Sequence, residues 1–184
     1  LATYGVKPAT TCDTEIVLYS YIIFREKCPE KLNGIFAFVV YDHNENKVFA
    51  VRDRMGVKPF FFTVLNSRVI FASEIKAILE YPEMEAELDK VGLWQLLFLS
   101  PVTINGSGVF KNIHELKPAE CAVFDNGGLK IQKYWKLKAE EFKGDSRDAA
   151  EHTKWLLEDA IRRQLVSDVP LCTFLSGGLD SSVI

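Results

Sequence analysis

The sequence has no long apolar run, no paired cysteines and no block of like charge. Its apolar stretches fall well short of the roughly 20 residues a membrane helix needs, so no membrane span is expected. Residues 1–11 lack a charged start followed by an apolar core, which excludes a signal peptide reading. Cys12, Cys28, Cys121 and Cys172 are scattered, with no CxxC pair, and His43, His114 and His152 do not cluster with them. That spacing is not a zinc site's, and free thiols in a reducing cytoplasm are the simplest reading. A net charge of −3 without a basic stripe points away from nucleic acid and from an anionic membrane surface. An initiating methionine is absent as well. The chain opens on Leu1 and closes on Ile184 in what reads as the first turn of a helix, so it is taken as an internal piece of a longer protein.

What is present is ordinary globular material: 184 residues, 48% apolar and 26% charged, enough for one core and the start of another. Apolar residues at Ile16, Val17, Tyr19, Ile22 and Ile23 predict a helix over 14–24, capped by Thr11 or Asp13. The run 35–41 is short and continuously apolar, which predicts a buried strand. Turn residues at 42–47 return it through 48–52. A second hairpin is expected over 60–64 and 69–72 around Asn66-Ser67, then a short helix over 74–79 started by Ala72 or Ser73. Asp89 is placed to cap a helix that Pro101 ends. Residues 105–108 read as a flexible loop, and Asn126-Gly127-Gly128 as the turn of a final hairpin. Arg52-Asp53-Arg54 is read as a structural ion-pair network, Glu74 and Lys76 as structural, and the three histidines as surface residues.

Composition shifts at 140–145, which divides the chain into 1–140 and 146–184. Ser146 is expected to cap a helix whose Leu157, Ala160, Ile161 and Leu165 share one face. Then 170–175 reads as a short buried strand. It runs into Ser176-Gly177-Gly178-Leu179-Asp180-Ser181-Ser182, a glycine loop opening a new helix, as in an α/β domain with a parallel sheet. Paired glycines let the backbone approach an anion without a Cβ in the way. The helix start offers unpaired amides, and the three serines offer hydroxyls. Asp180 adds a carboxylate able to hold Mg²⁺ against phosphate oxygens. No GxxxxGK[ST] motif is present, so this is not a Walker A loop.

The loop resembles the SGGxDS pyrophosphate loop of the ATP pyrophosphatases. Together with Ser167-Asp168-Val169-Pro170 it is similar to the start of the synthetase domain of the glutamine-hydrolysing asparagine synthetases. Upstream, residues 33–38 (NGIFAF), 52–59 (RDRMGVKP) and 71–77 (FASEIKA) resemble consecutive blocks of the class II glutaminase domain in the same family. The resemblance spans essentially the whole chain. It implies an α+β fold: an N-terminal-nucleophile sandwich of antiparallel sheets between helices. The first helix, strand and loop of an α/β adenine-nucleotide α-hydrolase-like domain would follow.

It further implies that Asp13 binds the α-amino group of glutamine, where the residues alone leave a helix N-cap as the other reading. Phe174, Leu175, Ser176, Gly177, Gly178, Leu179, Asp180, Ser181 and Ser182 would bind ATP and its pyrophosphate, with Asp180 holding Mg²⁺ through the phosphates. The implied activity joins ATP, aspartate and glutamine into asparagine, AMP, pyrophosphate and glutamate, through β-aspartyl-AMP and channelled ammonia. Glutamine, aspartate and ATP are the implied partners, and a homodimer is compatible with it. The family's nucleophile is a cysteine at the mature N-terminus whose own amine is the base. Leu1 has no thiol and the four cysteines are internal, so these residues by themselves are expected to be inactive. A β-lactam-synthetase-like adenylating enzyme and a non-enzymatic remnant are the alternatives. Pyrophosphate release from Mg-ATP with aspartate and glutamine discriminates among them.

Overall fold

The computed structural model describes residues 1–183; Ile184, expected in the first turn of a helix, lies outside the described residues. The chain divides into two compact units, Leu1–Leu137 and Lys138–Ile184.

The first unit is built on two antiparallel sheets. One has the order β1-β2-β6-β7, from Ala37–Asp42, Lys47–Arg52, Glu120–Asp125 and Gly128–Lys133. The other has the order β4-β3-β5, from Arg68–Ala72, Phe61–Leu65 and His114–Glu115. Side chains alternate across the central strand β2. Phe49 and Val51 point to one face, where they pack with Cys121 and with Tyr21 and Cys28 of the helices α1 (Asp13–Phe24) and α2 (Cys28–Lys31). Ala50 and Ala122 point to the other, against Phe60, Phe62 and Leu116. A strand covered on both sides must be apolar at consecutive positions, and the last four residues of β2 are all buried. On the second sheet, α3 (Ile75–Leu79) packs through the fully buried Ile78. The layers therefore run helix, sheet, sheet, helix.

Cys28 and Cys121 are completely buried in the first of these cores. Burial, and then the neighbouring Cys121, push the Cys28 thiol up to about 12, and burial raises Cys121 too.

The hairpins follow from their turn residues. Asn66 and Ser67 both take left-handed backbone (φ 47° and 63°) between the paired residues Leu65 and Arg68, as a two-residue turn of the I′ type requires. Asn126-Gly127 joins β6 to β7, with the Gly127 amide donating to Asp125 Oδ1 at 2.7 Å. The α1 helix is tied to the first sheet at Asp42, which accepts from the Tyr21 hydroxyl at 3.1 Å and Arg25 Nη1 at 2.7 Å.

Several expectations are corrected. Neither Thr11 nor Asp13 caps α1: Cys12 is the N-cap, without a side-chain cap bond. β1 is not buried throughout. It is an edge strand, so Phe38 and Val40 reach the core while Val39 and Tyr41 on the opposite face are 42% and 59% exposed. The helix after β4 is capped by the Glu74 backbone rather than started by Ala72 or Ser73. Residues 105–108 are a fastened loop. The buried Gln95 amide donates to Ser107 Oγ at 2.8 Å and accepts from the Ile104 amide at 2.7 Å, and Gly108 donates to the Ile113 carbonyl. His114 belongs to strand β5, though it is exposed like His43 and His152.

Gln95 is carried on α4 (Lys90–Phe98), where Asp89 caps as expected, accepting from the Gly92 amide at 2.7 Å. Gly92 faces the loop so closely that a Cβ there would lie 1.8 Å from the Val109 carbonyl oxygen.

In the second unit, α5 spans Ser146–Gln164. Its cap is Asp145, not Ser146: the Asp145 carboxylate accepts from the Arg147 and Asp148 amides, and Asp148 bonds back to the Asp145 amide. This capping box satisfies more of the free helix amides than a serine hydroxyl could. The expected strand 170–175 does not form. A strand needs a neighbouring ladder for its amides and carbonyls, and among the described residues none pairs with this segment, which is exposed throughout. The chain then turns at Gly177 (φ 79°) into a short helix α6, Leu179–Val183.

Candidate functional site

A cleft of the first unit, about 450 Å³, opens beside the start of α1 and the residues leading into β1. Val17, Ile35, Phe36 and Phe38 contribute apolar walls, and among the described residues its charged lining residues are Asp13 and Lys58. Asp13 is the first residue of α1. Its carboxylate takes no part in capping, and Glu15, two residues on, binds amides ahead of the helix. Glu15 accepts from the Ala9 and Thr10 amides at 2.7 Å each and from the Thr10 hydroxyl at 2.5 Å. The Thr10 hydroxyl and then the Ala9 amide hold the Glu15 carboxyl below the usual carboxylate range. Asp13 is left with two long contacts, from Cys12 Sγ at 3.8 Å and Thr14 Oγ1 at 3.5 Å. A carboxylate at the wall of an apolar cleft, at the positive end of a helix and without a close partner, is equipped to take a cation such as an ammonium group.

The far wall is set by the loop 53–59. Asp53, 1% exposed, accepts from the Met55 and Val57 amides at Oδ1 and from the Lys58 amide at Oδ2. Arg52 donates to the carbonyls of Lys58, Gly56 and Leu116 at 2.6–2.8 Å. The expected ion-pair network among Arg52, Asp53 and Arg54 is therefore corrected. Arg52 pairs with Glu115 at 2.8 Å, both side chains nearly buried, and Asp53 spends its carboxylate on backbone amides. Glu115 was not singled out from sequence, because its partner lies 63 residues away on the other sheet, and no local pattern marks such a pair. Lys58 was read only as part of the block 52–59. Glu74 and Lys76 pair with each other at the surface, 2.6 Å apart.

The second predicted site lies in the second unit. Phe174, Leu175 and Leu179 are 92%, 75% and 82% exposed. The amides of Gly177, Gly178, Leu179, Asp180 and Ser181 have no hydrogen-bond acceptor among the described residues, while Ser182 begins the helix by donating to the Gly178 carbonyl. Successive free amides around a left-handed glycine form the kind of concavity that receives an anion. The serine hydroxyls differ from expectation in being turned inward. Ser182 Oγ donates to the Gly178 carbonyl at 2.7 Å, and Ser181 Oγ lies 2.9 Å from Ser176 Oγ and accepts from the Ser176 amide at 3.3 Å. They brace the turn, and the backbone is what remains free. Asp180 is exposed on the first turn of α6 with its carboxylate unpaired among the described residues. One carboxylate beside phosphate oxygens suits Mg²⁺, which keeps several waters and needs few protein ligands. Among the described residues no three His, Cys, Asp or Glu side chains gather as a metal cage, and no helix is long and apolar enough to cross a membrane.

Comparison with known proteins places these features. Residues 152–184 match the family described as asparagine synthase. Asparagine synthetase [glutamine-hydrolyzing] 3 of Bacillus subtilis is 50% identical over 174 residues, covering 95% of this chain and 28% of that protein. Asparagine synthetase [glutamine-hydrolyzing] 2 of the same organism is 32% identical over 192 residues, covering 95% of this chain and 25% of that protein. The chain thus spans about a quarter of the length of these relatives. In structure, the glutamine phosphoribosylpyrophosphate amidotransferase of B. subtilis aligns over 74% of this chain and 25% of its own, with a TM-score of 0.50 at 15% identity. That likeness supports the fold class expected for the first unit, an amidotransferase sandwich of antiparallel sheets between helices. Residues 1–135, which hold the cleft and Asp13, match the model described as glutamine amidotransferase domain, and the chain belongs to that family.

Proposed function

We propose that the polypeptide carrying this chain makes asparagine from aspartate, using ammonia released from glutamine and adenylation by ATP. The observation that carries the reading is the order of two matches along one chain, glutamine amidotransferase over 1–135 and asparagine synthase over 152–184. In this reading Asp13 receives the α-ammonium of glutamine, and the apolar walls of the cleft exclude water from the pair. The free amides of Gly177 to Ser181 receive the pyrophosphate of ATP, and the backbone at Phe174 and Leu175 borders the nucleotide. Ser176, Ser181 and Ser182 keep the turn in shape. Asp180 would hold Mg²⁺ against the phosphates, and the metal would neutralise charge on the departing pyrophosphate. None of the chain's residues is assigned the glutaminase nucleophile. The cytoplasm is the proposed setting, in keeping with four free thiols.

The test follows pyrophosphate release by the parent polypeptide with Mg-ATP and aspartate, driven by glutamine or by ammonia. Asp13→Asn is expected to raise the KM for glutamine about tenfold or more, since it removes one charge-assisted bond. The ammonia-driven rate should be unchanged. An unaltered glutamine KM, or no aspartate-dependent pyrophosphate from the unsubstituted protein, overturns the reading.

A further inference from the structure

We propose that the outer face of α4 is a self-association surface, on which a second copy of the protein docks through the same helix in antiparallel orientation. Of the nine residues of α4 only Lys90 and Gln95 are polar. A helix that is apolar around most of its circumference is ordinarily a buried one. Here only Gly92 and Gln95 are buried, against the loop that Gln95 fastens. At 3.6 residues per turn Leu93, Trp94 and Leu97 fall on the opposite side, flanked by Leu96 and Phe98. All five are exposed, Leu97 and Phe98 at 67% and 70%. They leave roughly 600 Å² of apolar surface in water, the upper end of what a monomer shows and close to the apolar share of one side of a standard interface.

The helix cannot roll to hide this face. Only a glycine fits against the Val109 carbonyl, so Gly92 fixes which side of α4 meets the loop, and the Asp89 cap and the Gln95 bonds hold it there. The Trp94 and Phe98 rings already lie against each other, centroids 5.9 Å apart, so little side-chain freedom remains to be lost on docking. Charge selects the occupant. The approach to α4 carries Glu80, Glu83, Glu85, Glu87 and Asp89, which disfavours an anionic bilayer. In an antiparallel pair centred on Trp94, Lys90 of each copy reaches the C-terminal end of the other copy's α4. That is the negative end of the helix dipole, whereas within its own helix Lys90 sits at the positive end. A two-fold contact therefore buries the apolar face and improves the setting of its one charge twice over.

The experiment is analytical ultracentrifugation of the parent polypeptide across a range of concentrations. A reversible dimer is expected. Leu97→Glu, which sets a carboxylate on each side of the two-fold contact, should raise its Kd about a hundredfold or more. Lys90→Glu should raise it about tenfold. Ile131→Glu, an equally accessible apolar site on β7, should leave it unchanged. Trp94→Cys supplies a measurement that does not depend on tolerance of a charge: mild oxidation should join two copies through the substituted positions, identified by peptide mass mapping. A parent polypeptide that stays monomeric overturns the proposal, the face then being covered by the rest of its own chain. A dimer indifferent to Leu97→Glu, without the cross-link at position 94, overturns it too. So does cosedimentation with phosphatidylcholine–phosphatidylserine vesicles that Leu97→Glu abolishes, which would assign the face to a bilayer.

Discussion

Arg52→Met is expected to lower the unfolding free energy by about 3–5 kcal/mol, the usual cost of breaking a buried ion pair from one side. The cost has two parts. Glu115 would be left buried with its charge uncompensated, and the carbonyls of Lys58, Gly56 and Leu116 would lose their donors. Methionine keeps most of the volume, so a cavity adds little. The pair also fastens the end of β2 to β5, the short outer strand of the other sheet, so the effect should spread across the layers. Adding Glu115→Leu to Arg52→Met should recover much of the loss, because an apolar pair carries no desolvation penalty. Urea denaturation followed by far-ultraviolet circular dichroism measures all three. A loss under about 1 kcal/mol for Arg52→Met would mean that the guanidinium is effectively solvated, and the buried clamp described above would be wrong.

Gly92→Ala is the second large effect, and its sign is the point. In an exposed helix interior, alanine for glycine gains about 1 kcal/mol. At Gly92 the added methyl would lie 1.8 Å from the Val109 carbonyl oxygen and 3.0 Å from its carbon, both backbone atoms that no rotamer change can move aside. Helix α4 must lift off the loop, and the bonds from Gln95 to Ser107 and from Ile104 to Gln95 stretch with it. A loss of about 3 kcal/mol is expected. Gly34→Ala is the control: nothing lies within 4 Å of its Cβ position, and its effect should stay within about 0.5 kcal/mol. Equal unfolding midpoints for the two variants would contradict the close approach of α4 to Val109.

Where the chemistry of folding is local, the sequence was legible. Asn66-Ser67 and Gly128 specify their hairpins through left-handed backbone that few other residues accept, and Asp89 caps α4 because its carboxylate reaches the amide three residues on. The alternation along β2 separates the two cores. What was not legible is non-local. Strand β5 is two residues long and has no periodicity of its own, so only its pairing with Phe61 and Phe62 defines it. The segment 170–175 has a strand's composition but no ladder among the described residues, and composition cannot supply one. Of the cleft, Asp13 was legible through the resemblance of the blocks around it. Its freedom from capping was not, because the helix starts one residue earlier than a cap at Asp13 would need, with Cys12 as the N-cap. Lys58 had no signal beyond its place between Asp53 and Pro59.

The two interior cysteines carry a consequence for handling the molecule. A thiol alkylates through its thiolate, and a group that is both sealed from water and raised in pKa offers almost none at neutral pH. Cys12 and Cys172, both exposed, should take up iodoacetamide promptly, while Cys28 and Cys121 wait until the layer between α1 and the first sheet opens. The slow pair is thus a built-in clock. Its labelling time, read by mass spectrometry against the fast pair in the same sample, reports how often that layer comes apart, with no probe attached and no residue replaced.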